Sequence, residues 1–203
     1  DNAAPGTPRT ATYQITPPVN GAAGWDISDN GVYSIVVQGS QVKNAQLTAV
    51  PGGTVGTFTV SVGEVYIVDT IADTVAADGK TSLREAIAAS NASTTLTDTI
   101  RFSSLFDTPQ TIALDTTLSI TGAVIIEGPG AANLDITRNP ANNIQIINVS
   151  TSPANANITI SDVTISGAST TLEGGGINIG DEAVTLNRVI LEGKGDLHPQ
   201  VVL

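Results

Sequence analysis

The hydrophobic residues of this chain alternate as in β-strands almost everywhere, and only one stretch repeats them at helical spacing. That stretch covers residues 82–89, and its apolar residues fall on one helical face: Leu83, Ala86 and Ile87. Ser82 stands at the N-cap position with Glu85 three residues later, which is the pattern of a capping box. We therefore predict one helix that covers the end of a β-structure, with a structural cap made by Ser82, Leu83, Arg84, Glu85 and Ile87.

The C-terminal half of the chain repeats a short apolar motif. Three near-copies of Val-x-Ile/Leu-x-Gly, 39 and then 26 residues apart, are Val124–Gly128, Val163–Gly167 and Val189–Gly193. Such repeats are typical of a solenoid in which each coil buries its apolar face on the next. We predict coils of about 20 to 26 residues. Inward stacking in register is expected for Val124, Ile126, Val163, Ile165, Val189 and Leu191.

The first third of the chain shows a different set of alternating segments. We predict a strand over 11–16 around Tyr13 and Ile15, a hairpin turn at Asp29-Asn30-Gly31, and strands over 32–37 and 55–62. A third short piece begins near Val42, and Trp25 is expected to anchor the core. About four strands are present where a β-sandwich needs about seven, so the pattern predicts a partial antiparallel sandwich.

These patterns divide the chain into four parts. Residues 1–10 form a linker, 11–63 the partial β-sandwich, 64–193 the helix-capped solenoid, and 194–203 an irregular tail broken by glycine and proline. The fold class predicted is all-β with one α-helix. Because the chain begins with Asp1 rather than Met, we expect it to be processed or excised from a longer protein.

The charge balance excludes one class of partner. The net charge is −11, from 19 acidic and 8 basic residues, so a run of phosphates would find no basic surface and we expect no nucleic acid partner. No apolar run is long enough to span a bilayer, and we expect no membrane insertion. The chain has no cysteine, which excludes a thiol nucleophile and cysteine ligands for zinc.

The first third resembles a bacterial immunoglobulin-like repeat of very large surface proteins. The resemblance covers about residues 12–62 and rests on W-D-I-S-D-N-G-V-Y-S-I, then Q-V-K-N-A, then V-P-G-G-T-V-G-T-F-T-V. The matching strands are those of the second half of such a domain. The resemblance implies a partial immunoglobulin-like sandwich.

A second stretch closely resembles the so-called CSLREA region of secreted and surface-anchored bacterial proteins. It contains V-D-T-I-A-D, then D-G-K-T-S-L-R-E-A-I-A-A-S-N, then D-T-I-R-F, and finally L-S-I-T-G-A-V-I-I-E-G-P-G-A. Thr81 stands where the family has cysteine, which removes any disulfide at that place. The resemblance implies a short right-handed parallel β-helix over about 68–193 and an extracellular or cell-surface location.

Candidate chemistry is sparse. Asp26–Gly31 places oxygen ligands at the first, third and fifth positions of an EF-hand-like calcium loop, but the twelfth position is Val37 and the flanks are strands, so a turn is favoured and calcium binding is a weak alternative. His198 stands alone in the tail. The carboxylates that a β-helical polysaccharide-cleaving enzyme would need are Glu127, Asp135, Asp162, Asp181, Glu182 and Glu192. We expect Glu127, Ser166 and Glu192 to share one place in successive repeats, which separates two of these carboxylates.

Three functions remain open at this point. The leading one is a non-catalytic extracellular structural or adhesion protein that assembles with other copies into filaments by strand donation, using Thr10–Thr16 and Gln200–Leu203 as donors. Surface glycans are a further partner class. A carbohydrate-active β-helical enzyme or binding module is the alternative. The third is an ice- or crystal-binding solenoid, which would need a regular array of threonines; the candidates are Thr159, Thr164, Thr170 and Thr171.

Overall fold

The computed structural model divides the protein into two compact units, Asp1–Val62 and Gly63–Leu203. The residues that the structure describes are 12–17, 24–41, 43, 46–93, 96–150, 156–169, 175–180, 182–193 and 201–202. Each unit is taken separately below.

The first unit contains one antiparallel strand pair, formed by β1 (Gly31–Val37) and β2 (Gly53–Val60). Tyr33 is paired with Phe58, and their rings stack with centroids 5.2 Å apart. Trp25 packs edge-on against both rings, at 5.6 and 6.2 Å. This aromatic cluster holds one face of the pair, which agrees with the anchoring role predicted for Trp25.

Several details of the first unit differ from the sequence prediction. Asp29-Asn30-Gly31 is not a hairpin turn, because a short 3-10 helix (Ile27–Asp29) precedes Asn30 and β1 begins at Gly31. Residues 12–17 are in no strand, so the strand predicted over 11–16 is wrong in its described part. Val42 lies outside the described residues. The immunoglobulin-like sandwich stays a prediction beyond the antiparallel pair.

The second unit is a β-solenoid of about three turns built from three parallel sheets. The first sheet contains β3 (Val65–Val68), β4 (Asp98–Phe102), β7 (Val124–Glu127), β10 (Ile158–Ser161), β13 (Val184–Asn187) and β15 (Val201–Val202). The second contains β5 (Gln110–Leu114), β8 (Leu134–Arg138), β11 (Thr164–Ala168) and β14 (Ile190–Gly193). The third contains β6 (Leu118–Ile120), β9 (Ile147–Val149) and β12 (Ile177–Ile179). The helix α1 (Leu83–Ala92) lies between β3 and β4 in the chain.

Successive coils contribute one strand to each sheet, so neighbours in a sheet come from neighbouring coils. Paired residues are 26 apart between β4 and β7 and between β10 and β13, and 34 apart between β7 and β10. The parallel solenoid predicted from the repeats is therefore confirmed, although one coil is longer than expected. The extra length lies in two connections, β8 to β9 and β9 to β10, which have eight residues each where the coil before has three.

The register of the repeats is partly wrong in the sequence prediction. Ile165 pairs with Leu191, and the predicted alignment of the last two motif copies is correct. Val124, however, pairs with Ile158 on the first sheet, whereas Ile165 pairs with Ile136 on the second. The same apolar alternation serves strands of both sheets, because each strand must place every second side chain inside the coil.

The interior of the solenoid is a column of aliphatic side chains in register. On the first sheet Ile100, Ile126 and Ile160 stack in adjacent coils and are almost completely buried. Equivalent stacks fill the other two sheets: Ile112, Ile136 and Ile165 on the second, and Leu118, Ile147 and Ile177 on the third. Such stacking buries apolar area along the whole length of the coil, at about 25 cal/mol per Å².

The C-terminal end differs from the irregular tail predicted for residues 194–203. Val201–Val202 form β15, which pairs in parallel with β13 of the same chain. Residues 194–200 and Leu203 lie outside the described part. The first sheet thus extends one strand further than the repeats indicated.

Substitution of two glycines tests the coil packing. A Cβ at Gly128 would lie 2.2 Å from the Asp162 carbonyl oxygen of the next coil, whereas a Cβ at Gly122 would meet its nearest atoms at 3.6 Å. Gly128→Ala should therefore lower the free energy of unfolding by about 1–3 kcal/mol or more. Gly122→Ala should change it by no more than about 0.5 kcal/mol. Equal unfolding free energies for the two variants in chemical denaturation would contradict the register.

Candidate functional site

The start of α1 is held by the capping box that the sequence predicts. The Glu85 N–H donates to Ser82 Oγ at 3.2 Å, and Glu85 Oε2 accepts from the Ser82 N–H at 2.8 Å. Glu85 Oε1 accepts a further bond from the Ala76 N–H at 2.8 Å. These N–H donors, with Ser82 first, hold the pKa of Glu85 below its usual value. The predicted cap geometry is confirmed at both residues.

The apolar face of α1 lies on the first coil of the solenoid. Leu83, Ala86 and Ile87 are buried, and the helix contacts β3, β4 and β6. β6 is the first strand of its sheet, and β3 is the first strand of another. The helix therefore covers the N-terminal end of the core, as the sequence predicts.

Two hydrogen bonds between Asp69 and Thr81 close the loop before the helix. The Asp69 N–H donates to the Thr81 carbonyl at 3.0 Å, and Asp69 Oδ1 accepts from the Thr81 N–H at 2.7 Å. The Thr81 N–H and the Lys80 ammonium group lower the pKa of Asp69. These contacts use the backbone of Thr81 and not its side chain.

Arg84 connects the helix to the loop before it and to the turn before β6. Its guanidinium donates to both carboxylate oxygens of Asp73 at 2.8 Å, and to the carbonyls of Thr116 at 2.6 Å and Thr117 at 3.3 Å. Asp73 Oδ2 also accepts from the Asp115 N–H at 2.7 Å. Glu85 is not the partner of Arg84, because its carboxylate accepts from the Ser82 and Ala76 N–H groups instead.

Asn91 completes the ladder of β6 from the last turn of α1. Its Nδ2 donates to the Ser119 carbonyl at 2.8 Å, and its Oδ1 accepts from the Thr121 N–H at 2.8 Å. In a parallel sheet one residue of a neighbouring strand makes this pair of bonds to positions two apart. The carboxamide of Asn91 therefore takes the place of a strand residue that the first coil lacks.

The first coil also differs from the later ones at one inward position, where it has a carboxylate instead of an aliphatic side chain. Asp98 occupies the inward position that Val124, Ile158 and Val184 fill in later coils, and it is 1 % exposed. Its Oδ1 accepts from the Glu64 N–H at 2.8 Å. Burial, with the nearby carboxylates of Glu64 and Asp98, raises the pKa of Tyr66 to about 12.

The carboxylates considered for an active site are distributed over separate sheets. Glu127 is the last residue of β7 on the first sheet, and its carboxylate pairs with Arg101 at 2.6 Å. Asp135 lies on the second sheet and accepts from Ser166 Oγ at 3.0 Å. Ser166 and Glu192 are paired as expected, but the residue paired with Glu127 in the next coil is Ser161, so the prediction is wrong for Glu127.

The remaining candidates do not add a convergent site within the described residues. Asp162 bonds to Arg188 of the next coil through both carboxylate oxygens, and this lowers the pKa of Asp162. Glu182 is buried, while Asp181 and His198 lie outside the described part. Asp26 Oδ1 accepts from the Ser28 N–H at 2.8 Å and so caps the 3-10 helix.

Neither a metal-binding cluster nor a membrane-spanning helix is found within the part of the chain that the structure describes. That part contains no group of three or more His, Cys, Asp or Glu side chains that could hold a metal ion. Its helix is not long enough to cross a bilayer. A cavity of about 150 Å³ lies between α1 and β6, and its polar residues Arg84 and Asn91 are already bonded to β6 and its flanks.

Sequence reasoning identified the capping box and missed Asp73 and Asn91. Asp73 accepts from the Asp115 N–H in the turn after β5, and Asn91 bonds to backbone groups of β6 and of the residue after it, so both roles follow only from the coil register. One weak signal was available for Asn91, because asparagine is unfavourable inside a helix unless its side chain has a partner.

Asn91→Asp tests the contribution of this side chain to the capped end. The substitution keeps the shape of the side chain but places a carboxylate oxygen against the Ser119 carbonyl, which loses its donor. We expect a loss of about 1–3 kcal/mol in the free energy of unfolding. Ala92→Asp is the matched control, since it adds the same charge at the next, exposed position and should cost less than about 1 kcal/mol. Equal losses for the two variants in urea denaturation would show that the added charge, and not the loss of the bond to Ser119, destabilises Asn91→Asp.

Comparison with known proteins adds no family to this geometry. No protein-family model, no curated protein and no solved structure matches the chain.

Proposed function

We propose that this chain is a non-catalytic structural or adhesion protein, secreted or displayed on a cell surface, that assembles with other copies of itself. The observation that carries the proposal is the use of the outward polar side chains. Arg101 binds Glu127, and Arg188 binds Asp162, in each case from one coil to the next. Polar side chains that bond one coil to the next support a structural function.

Two further hydrogen bonds between outward side chains also join one coil to the next. Ser166 Oγ donates to Asp135 Oδ2 at 3.0 Å, and Asn178 Nδ2 donates to Asn148 Oδ1 at 2.7 Å, again between neighbouring coils. A polysaccharide-cleaving site of the usual kind needs two carboxylates facing one sugar bond. Glu127, Asp135 and Asp162 are each bonded to a side chain of a neighbouring coil, which favours the structural function over the carbohydrate-active alternative.

The finer features of the fold belong to the same proposal. The solenoid is right-handed, because parallel strands joined by a crossover connection follow that hand in about 98 % of cases. The first unit derives from an immunoglobulin-like repeat, supported by the antiparallel pair and its Trp25, Tyr33 and Phe58 cluster. Resemblance to bacterial surface proteins supports the extracellular location.

Self-assembly by strand donation is supported by the first unit. A two-stranded antiparallel pair is marginally stable alone, and a further strand would stabilise it. The C-terminal donor expected over Gln200–Leu203 is used differently, because Val201–Val202 pair with β13 of their own chain. The donor of the proposal is therefore the N-terminal segment.

An assay on polysaccharides tests the non-catalytic function. The purified chain should release neither reducing ends nor unsaturated sugars from acidic or neutral polysaccharides, with or without calcium. Asp162→Asn should lower the melting temperature, because Asp162 holds Arg188 of the next coil. Product release that Asp162→Asn abolishes at unchanged stability would instead establish an enzyme.

The location is checked on cells that make the protein. An antibody against the purified chain should label intact cells or the surrounding medium. Labelling that requires permeabilised cells would contradict the extracellular function.

A further inference from the structure

The strand pair of the first unit lacks two of the features that protect sheet edges. β1 and β2 contain no charged residue and no proline, although the chain has a net charge of −11. Within the described residues their sheet has only these two strands, so each strand has an unpaired edge. Natural proteins usually protect such edges with charge, proline or a bulge.

The two edges differ in one respect. Ile35 pairs with Gly56 and Val36 with Thr54, which leaves Val55 as an extra residue on β2. A bulge of this kind distorts the strand that carries it and makes its edge a poor template. β1 has no extra residue, so its edge is the better acceptor.

The exposed side chains of β1 favour the same edge. Val32, Ile35 and Val36 are 70 %, 45 % and 49 % exposed. Three exposed aliphatic residues on a seven-residue strand leave apolar surface that an added strand would cover.

The segment before the strand pair has the properties of a donor strand. Residues 12–16 are exposed and in no strand or helix, and Tyr13 and Ile15 are 83 % and 48 % exposed. In an extended strand these two side chains share one face. The sequence T-Y-Q-I-T is uncharged, so it can approach an uncharged strand of another acidic copy without direct charge repulsion.

Two other routes to assembly are less suitable. The first edge of β6 is already bonded to Asn91 and flanked by the Arg84 contacts, so another chain would have to displace both. Val201–Val202 are paired with β13. Within the described residues, neither residues 12–16 nor the free edge of β1 makes such a competing contact.

We propose that residues 12–16 of one copy add as a strand to the free edge of β1 in a second copy. This contact rests on the self-assembly in the proposed function and assigns its two partners. Donor and acceptor are different surfaces, so reciprocal exchange gives a closed dimer and one-way donation gives an open chain. Main-chain hydrogen bonds supply the affinity, and Tyr13 and Ile15 fix the register.

Paired lysine variants of the full chain test each surface. Val32→Lys introduces a charge on the acceptor strand, and Thr59→Lys is its control because Thr59 lies directly opposite on β2. Ile15→Lys changes the donor face, and Gln14→Lys places the same charge on the other face of the donor. Sedimentation velocity at tens of micromolar should show the parent and both controls as oligomers, and Val32→Lys and Ile15→Lys as monomers.

Mixing the two defective variants gives the decisive result. Val32→Lys retains its donor and Ile15→Lys retains its acceptor, so an equimolar mixture should form a one-to-one dimer that neither variant forms alone. Circular dichroism melts confirm folding, and deletion of residues 1–17 replaces Ile15→Lys if that variant unfolds.

The outcomes separate the two proposals. A monomeric parent would overturn self-assembly itself, and the assigned contact with it. An oligomeric parent whose size is unchanged by Val32→Lys or Ile15→Lys would leave self-assembly in place and overturn the contact. Failure of the mixture to form a dimer would also overturn it.

Discussion

The structure depends on how the first coil of a parallel solenoid is closed. Each inner coil has a neighbour on both sides, whereas the first coil must satisfy free backbone groups and cover an apolar interior without one. Helix α1 does both. Leu83 and Ile87 bury the end of the core, while Asn91 bonds to the ladder of β6 as a strand residue would. Arg84 fixes the position of the helix through Asp73 and the turn before β6.

The rest of the solenoid follows from repetition once that end is closed. Aliphatic side chains stack in register inside, and polar side chains bind one coil to the next outside, as Arg101 does with Glu127. Glycine is required where coils approach most closely, as at Gly128 beneath the Asp162 carbonyl. This division between interior and exterior explains how a chain poor in aromatic residues keeps a continuous core. It also places two ion pairs, Arg101 with Glu127 and Arg188 with Asp162, between neighbouring coils.

The parts predicted correctly from the sequence were those encoded locally or periodically. The capping box needs only Ser82 and Glu85, and the solenoid follows from the recurrence of one apolar motif. Its register was not predictable, because strands of two different sheets share the same alternation, and Val124 pairs with Ile158 instead of joining the stack of Val163. Asn91 was missed because its partners, on either side of Ile120, depend on how a coil of variable length returns.

Native-state hydrogen exchange tests most directly whether α1 closes the first coil. With the helix in place, amides of β4 and β6 should exchange as slowly as those of β7 and β9 in the next coil, and the Thr121 amide should be protected by Asn91. Rapid exchange of β4, β6 and Thr121 beside well-protected β7 and β9 would contradict the account. It would show that the helix does not close the end of the solenoid.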